Sequence, residues 1–187
     1  MQSIRRVMGV VVAAGAWSFS TPALAQPATA NSIQLGLGFR YGFEIDKQAG
    51  EDNPWGIGLG FNGGYTLSNA LYLGGNVEYF FGQSYGDELA GDSANIWQMT
   101  AEAGYDLPLA PIVVLRPKLG AGLASLHEKL CINGDCATDS QNNFTLLPGV
   151  TLIVLPPGFS LSVDIRYQFI LASDMPHAFI FTVGVGF

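Results

Sequence analysis

Apolar residues alternate with small or polar residues along most of this chain. Residues 33 to 43 read Ile-Gln-Leu-Gly-Leu-Gly-Phe-Arg-Tyr-Gly-Phe, so every odd position is apolar or aromatic and every even position is Gly, Gln or Arg. This period of two predicts a β-strand with one oily face, because successive side chains of a strand point to opposite sides. Twenty-four glycines and twelve phenylalanines also disfavour helices in general.

The same alternation recurs in seven further segments. Their oily columns begin at Trp55, Leu71, Trp97, Val113, Phe144, Phe159 and Phe179. Each segment has about ten residues, the length that a tilted strand needs to cross a bilayer. Short connections at 66–70, 108–111 and 155–158 alternate with the connections at 44–54, 82–96, 124–143 and 170–178, most of which are longer. The pattern predicts an all-β fold, an eight-stranded antiparallel up-and-down transmembrane β-barrel.

Charged residues inside the predicted strands all fall on the polar face. They are Arg40, Glu78, Glu102, Asp106, Arg116, Lys118, Asp164 and Arg166. A charge facing lipid at the bilayer midplane costs about 2–4 kcal/mol, whereas a charge in the lumen can find a partner. Four acids and four bases therefore predict a neutral lumen network whose ion pairs close the narrow interior of an eight-stranded barrel.

Aromatic residues concentrate at both ends of the oily columns, as interfacial girdles do. The predicted external girdle comprises Tyr41, Phe43, Trp55, Tyr79, Phe81, Trp97, Phe144 and Phe169, and the periplasmic one Tyr65, Tyr105, Phe159 and Phe187. A secreted soluble β-sandwich would also alternate, but it leaves these girdles and the glycine-rich polar face unexplained. Pro117 and Pro148 fall in neighbouring oily columns, where each predicts a bulge or a locally broken hydrogen-bond ladder.

The first 25 residues predict a cleaved Sec export signal. Arg5 and Arg6 precede an apolar run over residues 7–19, and Pro22-Ala23-Leu24-Ala25 provides a small-residue cleavage site. Cleavage after Ala25 would leave residues 26–187 as the barrel domain. An uncleaved membrane anchor is the alternative, which the shortness of the apolar run disfavours.

Two cysteines agree with an oxidising compartment. Cys131 and Cys136 flank Ile132-Asn133-Gly134-Asp135, in which Asn-Gly is a strong tight-turn signal. We therefore predict a disulfide that closes a loop tip. A metal site at this tip would also need His127 or Asp135 as a ligand, and we expect neither a metal nor a cofactor.

The last nine residues, Phe179-Ile180-Phe181-Thr182-Val183-Gly184-Val185-Gly186-Phe187, resemble the C-terminal signal of bacterial outer-membrane proteins. In that signal the outward residues Phe179, Phe181, Val183, Val185 and Phe187 would be read by the barrel-assembly machinery during insertion. The eight predicted strands together resemble the small OmpX-like barrels and the barrel half of OmpA. This resemblance implies a bacterial outer-membrane location and contact with membrane lipids and lipopolysaccharide. We expect a monomer.

The predicted loops are strongly acidic. They carry Glu44, Asp46, Glu51, Asp52, Asp87, Glu88, Asp92, Glu128, Asp135, Asp139 and Asp174 against only Lys47 and Lys129. The formal net charge of -7 argues against nucleic acid as a partner. These loops either form a solvated rim or bind divalent cations beside lipopolysaccharide phosphates. The pattern favours a non-catalytic barrel that serves surface contact or envelope integrity.

Two other functions remain open. Leu147, Ile153, Ile170 and Ile180 lie on the predicted lumen face, which suggests a narrow conduit for small hydrophobic solutes and resembles the OmpW-like barrels. Eight lumen-facing glycines would either leave a gap in the interior or ease curvature and close packing. More remotely, Ser125 and His127 loosely resemble the outward Ser/His site of lipid A deacylases, although their order and neighbours differ from that family's pattern.

Overall fold

The computed structural model describes residues 27–45, 55–82, 84–87, 90–132, 135–171 and 177–187. Ten strands lie within these ranges. They are β1 (Ser32–Glu44), β2 (Gly56–Thr66), β3 (Leu71–Phe80), β4 (Ser84–Asp87), β5 (Ala90–Tyr105), β6 (Leu107–Ala110), β7 (Val113–Ile132), β8 (Asp135–Val154), β9 (Ser160–Ile170) and β10 (Ala178–Gly186). None of the described segments is a helix with the length and hydropathy needed to cross a bilayer.

Eight of these strands close into a barrel. The wall runs in the order β1-β2-β3-β5-β7-β8-β9-β10, and β10 pairs antiparallel with β1 from Gly36–Gly186 to Glu44–Ala178. Each wall strand therefore has two hydrogen-bonded neighbours, which satisfies the backbone polar groups where no water is present to do so. The predicted eight-stranded antiparallel up-and-down barrel is confirmed.

The two faces of the wall follow the alternation in the sequence. On β1, the outward side chains of Ile33 and Phe39 are 69% and 71% exposed, whereas the inward side chain of Arg40 is 3% exposed. The short turns lie at the end that carries Ser32 and Gly186, which we assign to the periplasm, and the longer connections lie at the external end. The oily columns therefore face outward, and the polar face lines the lumen.

The two prolines are accommodated by one-sided gaps in the ladder. The β7–β8 register continues without a shift through Pro117–Val150 and Leu119–Pro148. On the other side of β8, paired residues skip from Leu146–Phe169 to Gly149–Arg166. Similarly, β5–β7 pairing ends at Gly104–Lys118 and resumes between β6 and β7 at Leu107–Leu115. Each proline thus directs its nitrogen, which has no hydrogen to donate, at the gap.

Trp55 corrects the predicted external girdle. It is fully buried, with its ring against Phe80 at a centroid distance of 5.2 Å. The neighbouring Gly56 has a left-handed φ of 49°, so the alternation does not extend from Ile57 back to residue 55. The other predicted girdle residues are exposed, and Phe43 is the least exposed of them at 36%.

Three predicted connections are also corrected. Residues 108–111 were expected to form a turn, but β6 occupies Leu107–Ala110 and the turn lies at residues 111–112. Much of the predicted loops 82–96 and 124–143 is strand. In these regions β4, β5, β7 and β8 extend past the closed ring as a sheet. We call residues 84–87, 90–95, 127–132 and 135–143 the projecting sheet.

Candidate functional site

Side chains fill the lumen in layers along the barrel axis. The external layer is apolar and comprises Trp55, Phe80, Ile96, Leu126, Leu147, Ile170, Ala178 and Ile180. Leu147 and Ile180, which suggested a hydrophobic conduit, are fully buried in this cluster, and Ile170 is 3% exposed. We call it the apolar cap. Its packing occupies the external part of the lumen.

A glutamine pair separates the apolar cap from the charged layer. Gln98 and Gln168 are both fully buried, and Nε2 of Gln168 donates to Oε1 of Gln98 at 2.9 Å. Gln98 in turn donates to the carboxylate of Glu78. The amide groups therefore connect strands β5 and β9 and provide a polar boundary for the ionic layer below.

Six of the eight predicted lumen charges form one central cluster. Glu78 accepts from Arg40 and from Nη2 of Arg166, the latter at 2.6 Å. Since β3 and β9 are four places apart in a ring of eight strands, the Glu78–Arg166 contact spans the whole lumen. All three side chains are almost completely buried. Such a contact links opposite walls of the barrel.

The same cluster continues toward β5 and β7. Lys118 Nζ lies 3.1 Å from Glu102 Oε2 and 2.9 Å from Asp164 Oδ2. Asp164 also lies 2.6 Å from Nε of Arg166 and accepts from the Thr151 hydroxyl at 2.7 Å. Three bases and three acids alternate, so the buried cluster is formally neutral. Removal of any member would leave an uncompensated charge in a poorly solvated space.

Glycines on the lumen face give these large side chains room. A Cβ at Gly60 would collide with the guanidinium of Arg40, and a Cβ at Gly64 would collide with the ring of Tyr72. A Cβ at Gly120 would lie at an ordinary contact distance of 3.4 Å from the Cβ of Leu147. At Gly60 and Gly64, therefore, the absence of a side chain allows the close packing of Arg40 and Tyr72.

Asp106 and Arg116, the remaining predicted charges, form a second cluster near the periplasmic end. The guanidinium donates from Nε and Nη2 to the two Asp106 oxygens at 2.5 and 2.8 Å. Nη2 also donates to Gln34 Oε1 at 3.0 Å, across the lumen on β1. The guanidinium carbon lies 3.6 Å from the ring centroid of Tyr72, a cation–π arrangement. The alternation in the sequence did not indicate that Gln34 and Tyr72 would contact Arg116.

A small cavity of about 50 Å³ lies between the two charged clusters. Its walls include Asn62, Asn76, Tyr72, Lys118 and Ser162. Asn76 is 5% exposed, and its Nδ2 has no hydrogen-bond partner among the described residues. A polar cavity of this size has room for one or a few water molecules.

The projecting sheet has a different character. Residues 135–142 of β8 are exposed on both faces. Cys131 and Cys136 are direct cross-strand partners joined by a disulfide, which confirms the predicted pairing. The predicted turn at Asn133-Gly134 lies outside the described residues. Among the described residues, β8 pairs with β9 only as far as Thr145–Ile170, so the edge from 135 to 143 has a neighbour on one side.

Several predicted loop acids lie on strands. Glu44 ends β1, Asp135 and Asp139 are exposed on β8, and Asp87, Asp92 and Glu128 belong to the projecting sheet. The remaining predicted loop acids and Lys47 lie outside the described residues. Among the residues that the structure describes, no group of three or more His, Cys, Asp or Glu side chains is placed to hold a metal ion.

The pair that suggested lipid A chemistry is not an exposed site. Ser125 is 5% exposed and stands opposite Trp97, whereas outward exposure was expected. Nδ1 of His127 is buried and has no hydrogen-bond partner among the described residues. A serine nucleophile needs a base within hydrogen-bond reach and access to its substrate. The burial of Ser125 therefore weighs against this chemistry.

The outward residues of the C-terminal strand form part of an aromatic surface. Phe181, Val183, Val185 and Phe187 are exposed, and Phe179 is partly exposed. Phe43 of β1 stacks on Phe181 with centroids 5.7 Å apart. These residues lie on the outward face of β10, which pairs with β1 to close the barrel, and their recognition by the assembly machinery stays a prediction.

Comparison with known proteins places these features in context. Residues 11–187 match the family described as outer membrane protein beta-barrel domain. No curated protein matches the chain.

Solved structures share the fold at low sequence identity. The attachment invasion locus protein Ail of Yersinia pestis is 17% identical, with 82% of this chain and 94% of that chain covered and a TM-score of 0.54. The N-terminal barrel of Pseudomonas aeruginosa OprF is 20% identical, with 84% and 97% covered and a TM-score of 0.51. A major outer membrane protein of Thermus thermophilus is 12% identical, with 83% and 99% covered and a TM-score of 0.63.

Proposed function

Because this chain belongs to the outer membrane protein β-barrel family and is an outer-membrane barrel, we propose that it is a non-catalytic barrel with a closed lumen. On this proposal its activity lies at the cell surface, in contact with other surfaces or in envelope integrity. The observation that carries the proposal is the continuous β7–β8 ladder, which runs from the lipid-facing wall into the exposed projecting sheet.

The projecting sheet suits contact through its edge. Residues 135–143 of β8 carry backbone donors and acceptors on the side away from β7, and an extended segment of another protein can pair with such an edge. Asp135 and Asp139 on this strand add negative charge. We therefore propose an extended, non-acidic polypeptide segment as the partner.

Ail has been crystallised with the heparin analogue sucrose octasulfate. That ligand is a polyanion, whereas the predicted loops and projecting strands of this chain carry eleven acids against two bases. Like charges repel at an exposed surface. We do not extend sulfated-glycan binding to this chain.

The surface role is tested by shortening the projecting sheet. Because Leu126 pairs with Gln141, replacement of residues 127–140 by Asn-Gly preserves the register of the wall. Cells that express this variant should lose adhesion to polypeptide-coated surfaces relative to wild type, while the barrel still migrates as a folded species without heating. Wild-type adhesion and an unchanged envelope barrier in the variant would contradict the proposal.

The closed lumen is tested separately in planar bilayers. The filled apolar cap and the two charged clusters support a barrel without steady conductance. Reproducible single-channel steps would instead favour the narrow conduit. If the protein were a lipid A-modifying enzyme, its expression would alter the mass spectrum of lipid A, and His127→Ala would abolish the alteration. An unchanged spectrum on expression of the wild-type protein would contradict this hypothesis.

Maturation and assembly are also part of the proposal. Residues 1–25 would be removed on export, so that sequencing of the mature protein should begin at Gln26. The outward residues from Phe179 to Phe187 would be recognised by the barrel-assembly machinery, and Phe187→Ala should slow insertion. The eight paired wall strands support a monomer, which mass measurement in detergent tests.

A further inference from the structure

The segment directly before β1 folds against the periplasmic mouth of the barrel. Within it, Ala30 N donates to Pro27 O at 2.9 Å, and Asn31 N donates to Thr66 O at 2.8 Å. Asn31 has a left-handed φ of 57°, which turns the chain away from the direction of the strand. Residues 27–31 therefore form a structured turn across the opening.

One side chain of this turn reaches into the lumen network. Thr29 is 2% exposed, and its hydroxyl donates to Asp106 Oδ2 at 2.5 Å. Asp106 is fully buried and also accepts from Arg116 and from the Thr66 hydroxyl. Asp106 directly follows β5, which is three places from β1 in the ring of eight strands, so this hydrogen bond attaches the turn across the mouth.

The turn lies where the periplasm meets the lumen cavity. A recess of about 260 Å³ at the mouth is lined by Ala28, Thr29 and Phe187, among others. Gln34 and Ser160 line both this recess and the cavity of about 50 Å³ between the charged clusters. The recess therefore adjoins that cavity on the periplasmic side, whereas the apolar cap fills the lumen on the external side.

We propose that residues 27–31 are a latch that controls the entry of water and small polar solutes from the periplasm into the lumen cavity. The Thr29–Asp106 hydrogen bond holds the latch closed. When it opens, Asp106 keeps both bonds from Arg116, so that opening leaves no unpaired charge and the wall stays folded. The latch concerns the periplasmic end and does not depend on the projecting sheet.

Cysteine labelling in the cavity tests the latch. Ser162 lines the lumen cavity, and the two native cysteines are joined, so Ser162→Cys introduces a single free thiol. The folded protein in detergent is treated with methyl methanethiosulfonate, an uncharged reagent that adds only a thiomethyl group to the thiol. Addition of Thr29→Val, which removes the hydroxyl at similar volume, should raise the labelling rate about tenfold, as expected for loss of one buried hydrogen bond.

Matched variants distinguish the latch from a general loosening of the barrel. Thr29→Ser keeps the hydroxyl and should label as slowly as the Ser162→Cys protein alone. Thr138→Val makes the same change at an exposed position of the projecting sheet and should have no effect. Deletion of residues 27–30 should accelerate labelling at least as much as Thr29→Val.

Two results would overturn the latch. One is rapid labelling of Ser162→Cys without a second change, and the other is a labelling rate that neither Thr29→Val nor the deletion raises. Either result leaves the surface proposal intact, because adhesion is measured on the projecting sheet. Loss of adhesion without any change in labelling would likewise separate the two.

Discussion

The barrel wall and the projecting sheet share strands β7 and β8 but are stabilised differently. Their ladder runs without a shift from Val113–Val154 to Ile132–Asp135. In the wall one face contacts lipid and the other packs into the lumen clusters, whereas residues 135–142 are exposed on both faces. The backbone hydrogen bonds between β7 and β8 therefore continue through both regions. The stability of the pairing in each region depends on whether its side chains contact lipid, the lumen clusters or water.

The largest expected effect tests the buried network of the wall. Arg166→Ala removes the contacts with Glu78 and Asp164 and leaves both carboxylates without this partner. We expect the free energy of unfolding to fall by about 3–5 kcal/mol. Urea unfolding in lipid vesicles measures it.

Lys129→Ala is the control for this change, because Lys129 is exposed on the projecting sheet. It should alter the free energy of unfolding by no more than about 0.5 kcal/mol. Similar losses in the two variants would show that the wall network contributes no more than a surface charge does.

A second substitution tests whether hydrocarbon contacts the outward face of β9. Val163 is on the lipid face of β9 and pairs with Val183 in the middle of the wall. Val163→Arg should cost about 2–4 kcal/mol, because it places a charge in hydrocarbon. Thr138→Arg introduces the same positive charge on the exposed projecting sheet and should leave the free energy of unfolding nearly unchanged. Equal yields of folded protein and equal unfolding curves for the two would contradict a lipid-facing β9.

This contrast explains what the sequence could predict. Alternation predicted the closed wall and the side on which each charge lies, because hydrocarbon excludes charge from one face. Alternation did not predict which charged residues contact each other. It shows which face of a strand a side chain lies on, but it does not show which side chain lies opposite across the lumen. Arg166 and Glu78, for example, are 88 positions apart in the sequence.

The projecting sheet escaped prediction for the complementary reason. Residues 137–143 read Ala-Thr-Asp-Ser-Gln-Asn-Asn, with no oily face, since water surrounds both sides. The burial of Trp55 was not predicted, because Gly56 breaks the alternation at the end of the strand. Thr29 gave no signal, because it precedes the first strand and its partner Asp106 lies far along the chain.

A third change tests how the projecting sheet is held. Replacement of both Cys131 and Cys136 by Ser removes the cross-strand disulfide. For so short a loop we expect opening of the hairpin to become easier by about 2 kcal/mol. Amide exchange over residues 127–140 should accelerate, while the urea unfolding of the wall stays unchanged. A matching loss of wall stability would show that the two regions unfold together.

The smallest effect concerns the gap beside Pro148, where the wall lacks the continuity of the β7–β8 ladder. With the register of β8 and β9 unchanged across the gap, Pro148 stands opposite Tyr167. Pro148→Val supplies an N–H directed at β9 and keeps an apolar side chain toward lipid. One added hydrogen bond should stabilise the wall by about 1 kcal/mol.

Pro157→Val, in the exposed turn between β8 and β9, is the control and should not increase the free energy of unfolding. Amide exchange of residue 148 distinguishes the causes: a slowly exchanging amide shows that the missing N–H makes the gap, whereas a fast one would show that the curvature of the wall keeps the strands apart.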